Sequence, residues 1–258
     1  KKLAPEENLE VTDVARVTDT GRLRMYYKNE KVLDLARSFL NENGAPREAK
    51  AIVPSAKHHH MDALELSKEG MLQDLQKPNH GSQRGLTEQF DSSIGCSTVL
   101  WPYGGVCQSS EESVSMQTLP VPGGTTTASL MSYGYSPYLA DESPYLMGAY
   151  SVVEALSALV AAGGTLDECY LTCQEYFRRL DQNPEAWGAV VAALLGLFEA
   201  QRAFGTPSIV GKDSLSGTYE DINVPPTLVS FAITTLDISE AISACLPKED
   251  GYLYYLPH

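Results

Sequence analysis

Histidine is almost missing from this chain. Between His80 and His258 there is none, and the other three stand together at His58, His59 and His60. A Ser-His or Cys-His nucleophilic machine in that long stretch is excluded by inventory, and a glutaminase with it. Basic residues are scarce too. Nineteen lysines and arginines stand against thirty-three acids, a net charge of −14, and no Lys/Arg run exceeds two residues. That balance argues against a nucleic-acid partner, which would need a positive footprint. The five cysteines (Cys96, Cys107, Cys169, Cys173, Cys245) are odd in number and form no CxxC pair. They fit reduced thiols and a cytoplasmic setting better than a disulfide frame or a zinc site. The pattern shows no apolar leader and no membrane-length run, so neither export nor spanning is expected.

What remains is apolar periodicity that alternates between strand and helix. At 258 residues the chain is long enough for one good core with appendages. It begins with Lys1 and ends in the strand-like GYLYYLPH, which reads as a piece of something longer. Residues 9–35 read as a small strand pair or meander, with turns at Thr20-Gly21 and Lys28-Asn29-Glu30. Val32–Leu40 looks helical and closes at Gly44. Ala45–His60 is a linker containing Pro46 and Pro54, in which the three histidines could bind a metal or simply be polar. Met61–Lys77 has helical spacing. Ser97–Trp101 is a short strand, Tyr103–Gly124 a long loop, and Thr125–Tyr133 a strand. Further strands are expected at Cys169–Cys173, Ser208–Val210 and Thr227–Thr235. With two thiols and no histidine partner, Cys169 and Cys173 are expected in the core.

Two helices dominate the second half. Asn183 can cap one, Pro184 suits its first position, and Gly205 can end it. Its stripe of Trp187, Val190, Val191, Leu194, Phe198 and Phe204 is read as core packing. The other starts at Ser143-Pro144 and ends at Gly163-Gly164, and it is apolar or small all round except for Glu154. An all-round apolar helix should be buried, so Glu154 must be neutral, paired with an arginine or backbone amides, or bound to a metal.

Two loops add candidates. In SIVGKDSLSGT, at 208–218, an apolar run is expected to stop at Gly211 and to turn through Lys212, Asp213, Ser214 and Ser216. A cation, hydroxyls and turn amides at a sheet edge suit a phosphate. The spacing is not that of a P-loop, and a bland Gly-Lys turn stays open. In GSQRGLTEQFDSSIG, at 81–95, Arg84 offers a planar fork for phosphate or carboxylate, or forms a surface pair with Glu88.

The wording of these segments is more specific than their physics. GKDSLSGTYEDINVPPTLVSFAITTLD at 211–237, TTTASLMSYGYSPYLADESPYLMGAYSVVEALSALVAAGG at 125–164, CQEYF and WGAVVAALLGLFEAQRAFGTPSI further on, QRGLTEQFDSSIGCSTVLWPYGG at 83–105 and VTDTGRLRMYYKNEKVLDLARSFLNENG at 17–44 resemble the phosphoribosylformylglycinamidine synthases. Nearly the whole chain is covered. The resemblance implies two tandem modules shaped like aminoimidazole ribonucleotide synthetase plus a C-terminal glutaminase. Here it implies the tail of one module at 1–44, a linker with a helix at 45–82, an N-terminal-type domain at 83–245, and the start of the next domain at 246–258. The implied fold is α/β, a mixed sheet of about four strands with flanking helices, closing into a barrel with the sheet of the first module. Cut from that partner, such a fragment is expected to self-associate. The implied reaction is ATP-dependent conversion of formylglycinamide ribonucleotide to its amidine with ammonia from glutamine.

Residue by residue, the resemblance implies that Gly211, Lys212, Ser214, Ser216 and Arg84 bind phosphate of substrate, ATP or ADP. Asp213 would orient Lys212 or reach a magnesium ion, and Glu154 would be a magnesium ligand. The match breaks at three places. Relatives carry Asn at the position of Ala158, Lys at that of Gln83, and an Asp where PVPGGTTTASL offers only Gly and Thr. These losses imply a weakened accessory nucleotide and magnesium site, and they favour an alternative role as a non-catalytic scaffold half. Thiamine-phosphate kinases and selenophosphate synthetases share the superfamily, but their Asp-rich N-terminal motifs are absent.

Overall fold

The computed structural model describes residues 2–41, 48–55, 67–77, 80–90, 92–140, 142–245, 250–252 and 254, and statements below concern these. His58, His59, His60, Gly44 and His258 lie outside them. The chain divides into two compact units, Lys1–Ala49 and Lys50–His258.

The first unit is built on a hairpin. Strand β1 (Arg22–Tyr27) pairs antiparallel with β2 (Glu30–Ala36). The turn places Lys28 and Asn29 at φ 48° and 69°, the left-handed pair that matches strand twist in a two-residue hairpin. Leu23 faces Leu35 and Met25 faces Leu33. The expected helix over Val32–Leu40 is therefore corrected: the period-two Leu33/Leu35 pattern pairs as strand, and only α1 (Arg37–Asn41) is helical. On the hairpin Asp34 accepts from Lys31 at 2.8 Å and Arg22 at 2.5 Å, and these cations hold its carboxyl well below the usual range.

The second unit opens with the extended segment 48–55, then α2 (Lys68–Leu75), whose Ser67 hydroxyl accepts the Gly70 N–H at 3.0 Å. Helix α3 (Arg84–Thr87) follows. Next come β3 (Thr98–Leu100), β4 (Val114–Thr118), β5 (Thr127–Gly134), α4 (Pro137–Ala140) and α5 (Pro144–Ala161). The remaining elements are β6 (Tyr170–Tyr176), α6 (Pro184–Phe204), β7 (Ser208–Ser214), the small hairpin β8 (Thr218–Tyr219) and β9 (Ile222–Asn223), and β10 (Thr227–Asp237). Six strands form one mixed sheet in the order β3-β4-β5-β10-β6-β7, antiparallel except for the β6–β7 pair. The fold is mixed α/β, as expected, but with six strands instead of four. One of the extra strands is β4, where Val114 and Met116 alternate inward within the stretch read as a loop.

Helices α5 and α6 cover one face of this sheet. Beneath them lies a core of Met116, Leu130, Met147, Val152, Leu159, Leu171, Leu228 and Ala232, joined by Cys169 and Cys173. Asn183 caps α6 by accepting the Ala186 N–H at 2.9 Å, and Gly205 ends it in the left-handed region. The two helices approach through glycines: a Cβ on Gly148 would lie 2.1 Å from the Ala193 carbonyl oxygen, and one on Gly196 1.9 Å from that of Tyr145. Of the expected core stripe of α6, Val190 is buried and Trp187 packs against the core, but the close contact turns Leu194, Phe198 and Phe204 outward. Ala186, Val190, Ala193, Leu197 and Ala200 are buried, whereas Leu194 is 39 % and Phe198 58 % exposed. The reason is that the contact selects small residues, pushing the bulky ones outward. Helix α5 likewise is not buried all round, since Tyr150 and Val160 are exposed. It is also long and apolar enough to cross a membrane, a run the sequence reading missed; here it packs as a core helix. The segment expected as a free linker is anchored at Ile52, whose N–H donates to the Pro184 carbonyl at 2.9 Å.

Candidate functional site

Register places Lys212, and corrects its surroundings. Strand β7 does not stop at Gly211 but runs to Ser214, with Cys173, Gln174, Glu175 and Tyr176 of β6 opposite Gly211, Lys212, Asp213 and Ser214. The backbone of these residues sits in a ladder, so a phosphate cradle built from turn amides is not what this segment forms. Glycine and a charged pair are tolerated because β7 is an edge strand. Ser216 lies beyond the strand and before β8. Alternation then sorts the side chains. Lys212 and Ser214 share the helix-free face with Gln174 and Tyr176, while Asp213 and Glu175 lie on the other. The Lys212 amine donates to the Ser214 hydroxyl and stands 5.7 Å from the centre of the Tyr176 ring, so its side-chain partners are neutral.

The other face carries facing acids. Burial, and after it the Asp213 carboxylate, push the half-buried Glu175 carboxyl above its ordinary 4.5. A carboxyl raised in the folded state binds its proton more tightly there than in the unfolded chain. The group therefore destabilises the fold above its folded pKa, and the penalty fades as pH falls through that value toward 4.5. Glu175→Gln should raise the melting temperature at pH 7 and change it much less at pH 4. Equal effects in thermal melts at the two pH values would refute the assignment.

Glu154, on α5, points to the end of β5. Its Oε2 accepts the Tyr135 N–H at 2.8 Å. Burial raises its carboxyl, and that amide partly opposes the shift. Among the described residues no three His, Cys, Asp or Glu side chains gather where they could hold a metal ion. Glu154 is tied to backbone and Asp213 to the edge of the sheet, so the residues as arranged do not fit a protein-held magnesium ion, and no chemistry is assigned through one.

Arg84 donates to Glu88 at 2.7 Å, the surface i,i+4 pair, and its guanidinium lies 5.8 Å from the centre of the Tyr103 ring. It lines a shallow concavity with Ser92, Ser93, Trp101 and Gln108. Tyr103, Pro102 and Thr87 separate that concavity from a second cleft, which reaches the helix-free face at Met131, Tyr133 and Phe231. The structure thus does not bring Arg84 and Lys212 together in one described pocket. Tyr103, Tyr176 and Glu175 were not singled out from sequence. A period-two reading of 170–176 could have found the last two.

No family model matches the chain. It is similar to curated proteins called phosphoribosylformylglycinamidine synthase subunit PurL: 25 % identity with that of Salinibacter ruber, over 96 % of this chain and 33 % of the relative, and 20 % with that of Thermoplasma acidophilum, over 99 % and 33 %. Among solved structures, Thermotoga maritima PurL complexed with ATP superposes with a TM-score of 0.66 at 20 % identity, covering 93 % of this chain and 36 % of that one. The chain spans about a third of the length of the relatives it matches. The similarity to phosphoribosylformylglycinamidine synthase subunit PurL extends over nearly the whole of this chain.

Proposed function

We propose that this chain is a synthetase-like portion of a phosphoribosylformylglycinamidine synthase, a cytoplasmic ligase of purine biosynthesis. In the parent reaction ATP phosphorylates the amide oxygen of formylglycinamide ribonucleotide. Ammonia released from glutamine by a glutaminase domain then attacks the amide carbon, the C–O bond breaks, and phosphate leaves with that oxygen, giving the amidine. Within such an enzyme this portion serves as the scaffold half that completes a barrel and positions the catalytic module.

One observation carries that role. Among the described residues the long helices α5 and α6 lie on one face of the six-stranded sheet, and its other face presents Met131, Tyr133, Tyr170, Tyr176 and Val210, all more than a third exposed, beside Phe231 and Ile233. An apolar, tyrosine-rich sheet face of that size marks a surface meant to be covered. Isolated, the chain should cover it with a second copy. Light scattering at high concentration should report a dimer, and Tyr133→Glu should return it to monomer with an unchanged far-ultraviolet spectrum. A strictly monomeric wild-type chain would sink the reading.

Lys212 supports a second role on the same face. Any surface closing over it desolvates an amine whose partners are neutral, and that burial is costly without an anion. A phosphate of substrate or nucleotide held by Lys212 and Ser214 would meet the need.

A further inference from the structure

A cavity of about 80 Å³ lies between the β3–β4 connection and the segment that follows β10. Leu100 and Trp101 make its apolar side, and Ser110, Glu112, Ser243 and Cys245 bring its polar atoms. A single water needs roughly 10–15 Å³ by the same measure, so there is room for a small ion with a few waters.

Glu112 is the unusual member. Its position alternates with the buried Val114 and Met116 of β4, which places it on the helix-covered side of the sheet. It is only 8 % exposed, and carboxylates are rarely that buried unless paired. Its Oε1 accepts the Ala244 N–H at 2.7 Å. That is its one hydrogen bond among the described residues, so Oε2 keeps its acceptor capacity unspent. Among the described residues no Lys, Arg or His lines the cavity to balance the charge. The neutral oxygens beside it are acceptors too. The Ser110 hydroxyl donates to the Gly104 carbonyl at 3.1 Å, and Ser243 Oγ accepts the Cys245 N–H at 3.1 Å. Ser110 Oγ thus keeps both lone pairs and Ser243 Oγ keeps one.

Water alone would solvate these oxygens and leave the charge uncompensated, whereas a cation answers both needs. A transition metal is poorly served by one thiol and no imidazole, and no three His, Cys, Asp or Glu gather among the described residues. Calcium sites collect more carboxylates than one. We propose that this cavity binds a single alkali-metal ion, with Glu112 Oε2 as its charged ligand and the Ser110 and Ser243 hydroxyl oxygens as neutral ones. The ion ties the chain after β10 to the β3–β4 connection. The site lies off the sheet face proposed above for closure, so the two readings stand or fall separately.

Potassium, sodium and choline chlorides at equal ionic strength are suitable probes, with zinc chloride as a fourth. They are read on the intact chain by thermal melts and amide chemical shifts. Potassium or sodium should raise the melting temperature in a saturable way and shift the amides of Ala244 and Cys245. Choline should do neither. Glu112→Gln retains an oxygen for the Ala244 N–H while removing the charge. It should weaken the alkali response roughly ten- to a hundredfold, the value of one charge-assisted contact. Ser243→Ala, a change at an exposed position, should weaken the same response and serves if the first variant does not fold. An equal response to choline, an undiminished response in a folded variant, a response to zinc alone, or no response to any salt would each overturn the assignment.

Discussion

Gly148→Ala and Gly196→Ala should each destabilise the second unit by about 3 kcal/mol or more, the upper end of what overpacking costs. The added methyl group would sit 2.1 Å from the Ala193 carbonyl oxygen in one case and 1.9 Å from the Tyr145 carbonyl oxygen in the other. Both obstacles are backbone atoms of the facing helix, so no rotamer change relieves them and α5 and α6 must separate. Separation opens gaps around Met147, Val190 and Leu197, adding lost contact to the clash. For a domain of this size the melting temperature should fall by roughly 6–12 °C. Urea unfolding of the two variants should show a lower midpoint at unchanged slope. A loss below about 1 kcal/mol in both would mean that the helices are not in backbone contact.

The second large effect belongs to Lys212. In an enzyme that includes this portion, Lys212→Ala should weaken binding of a phosphate-bearing substrate or nucleotide roughly ten- to a hundredfold, the worth of one desolvated charge-assisted bond of about 1.5–3 kcal/mol. Stability should hardly move. The amine reaches Ser214 and Tyr176, while Asp213 and Glu175 sit across the strand on the opposite face, so its removal strands no buried carboxylate. Phosphate-ligand affinity and melting temperature measured on the same variant decide the matter. Several degrees of lost stability at unchanged affinity would leave only the scaffold role.

Features governed by near neighbours were legible in the sequence. Ser143 and Asn183 cap the helices predicted to follow them, because a cap is decided within three residues. The oddity of Glu154 on an apolar helix was legible as well, but its partner was not, since the Tyr135 amide lies just past the end of β5, 19 residues earlier. Gly211 was misread for a related reason. A glycine before Lys-Asp reads as a stop, yet pairing with β6 extends the strand through it, and no local pattern reports a neighbour that distant. The face of α6 was misjudged because bulk suggests burial, whereas the glycine contact with α5 buries the alanines. Glu112 gave no signal, being one acid among many until the fold enclosed it.

The position of β10 has a consequence for how the chain is made. It lies between β5 and β6, pairing with β5 over Ser230–Asp237 and with β6 over Thr227–Ile233, yet it is the last of the six strands of this sheet to leave the ribosome. Until residues 227–237 emerge, the two halves of the sheet share no hydrogen bonds, and each presents a raw inner edge. Such edges recruit strands from other molecules, and contacts distant in sequence form slowly. The nascent sheet is therefore at its most aggregation-prone before β10 emerges, and that single late strand locks its two halves together.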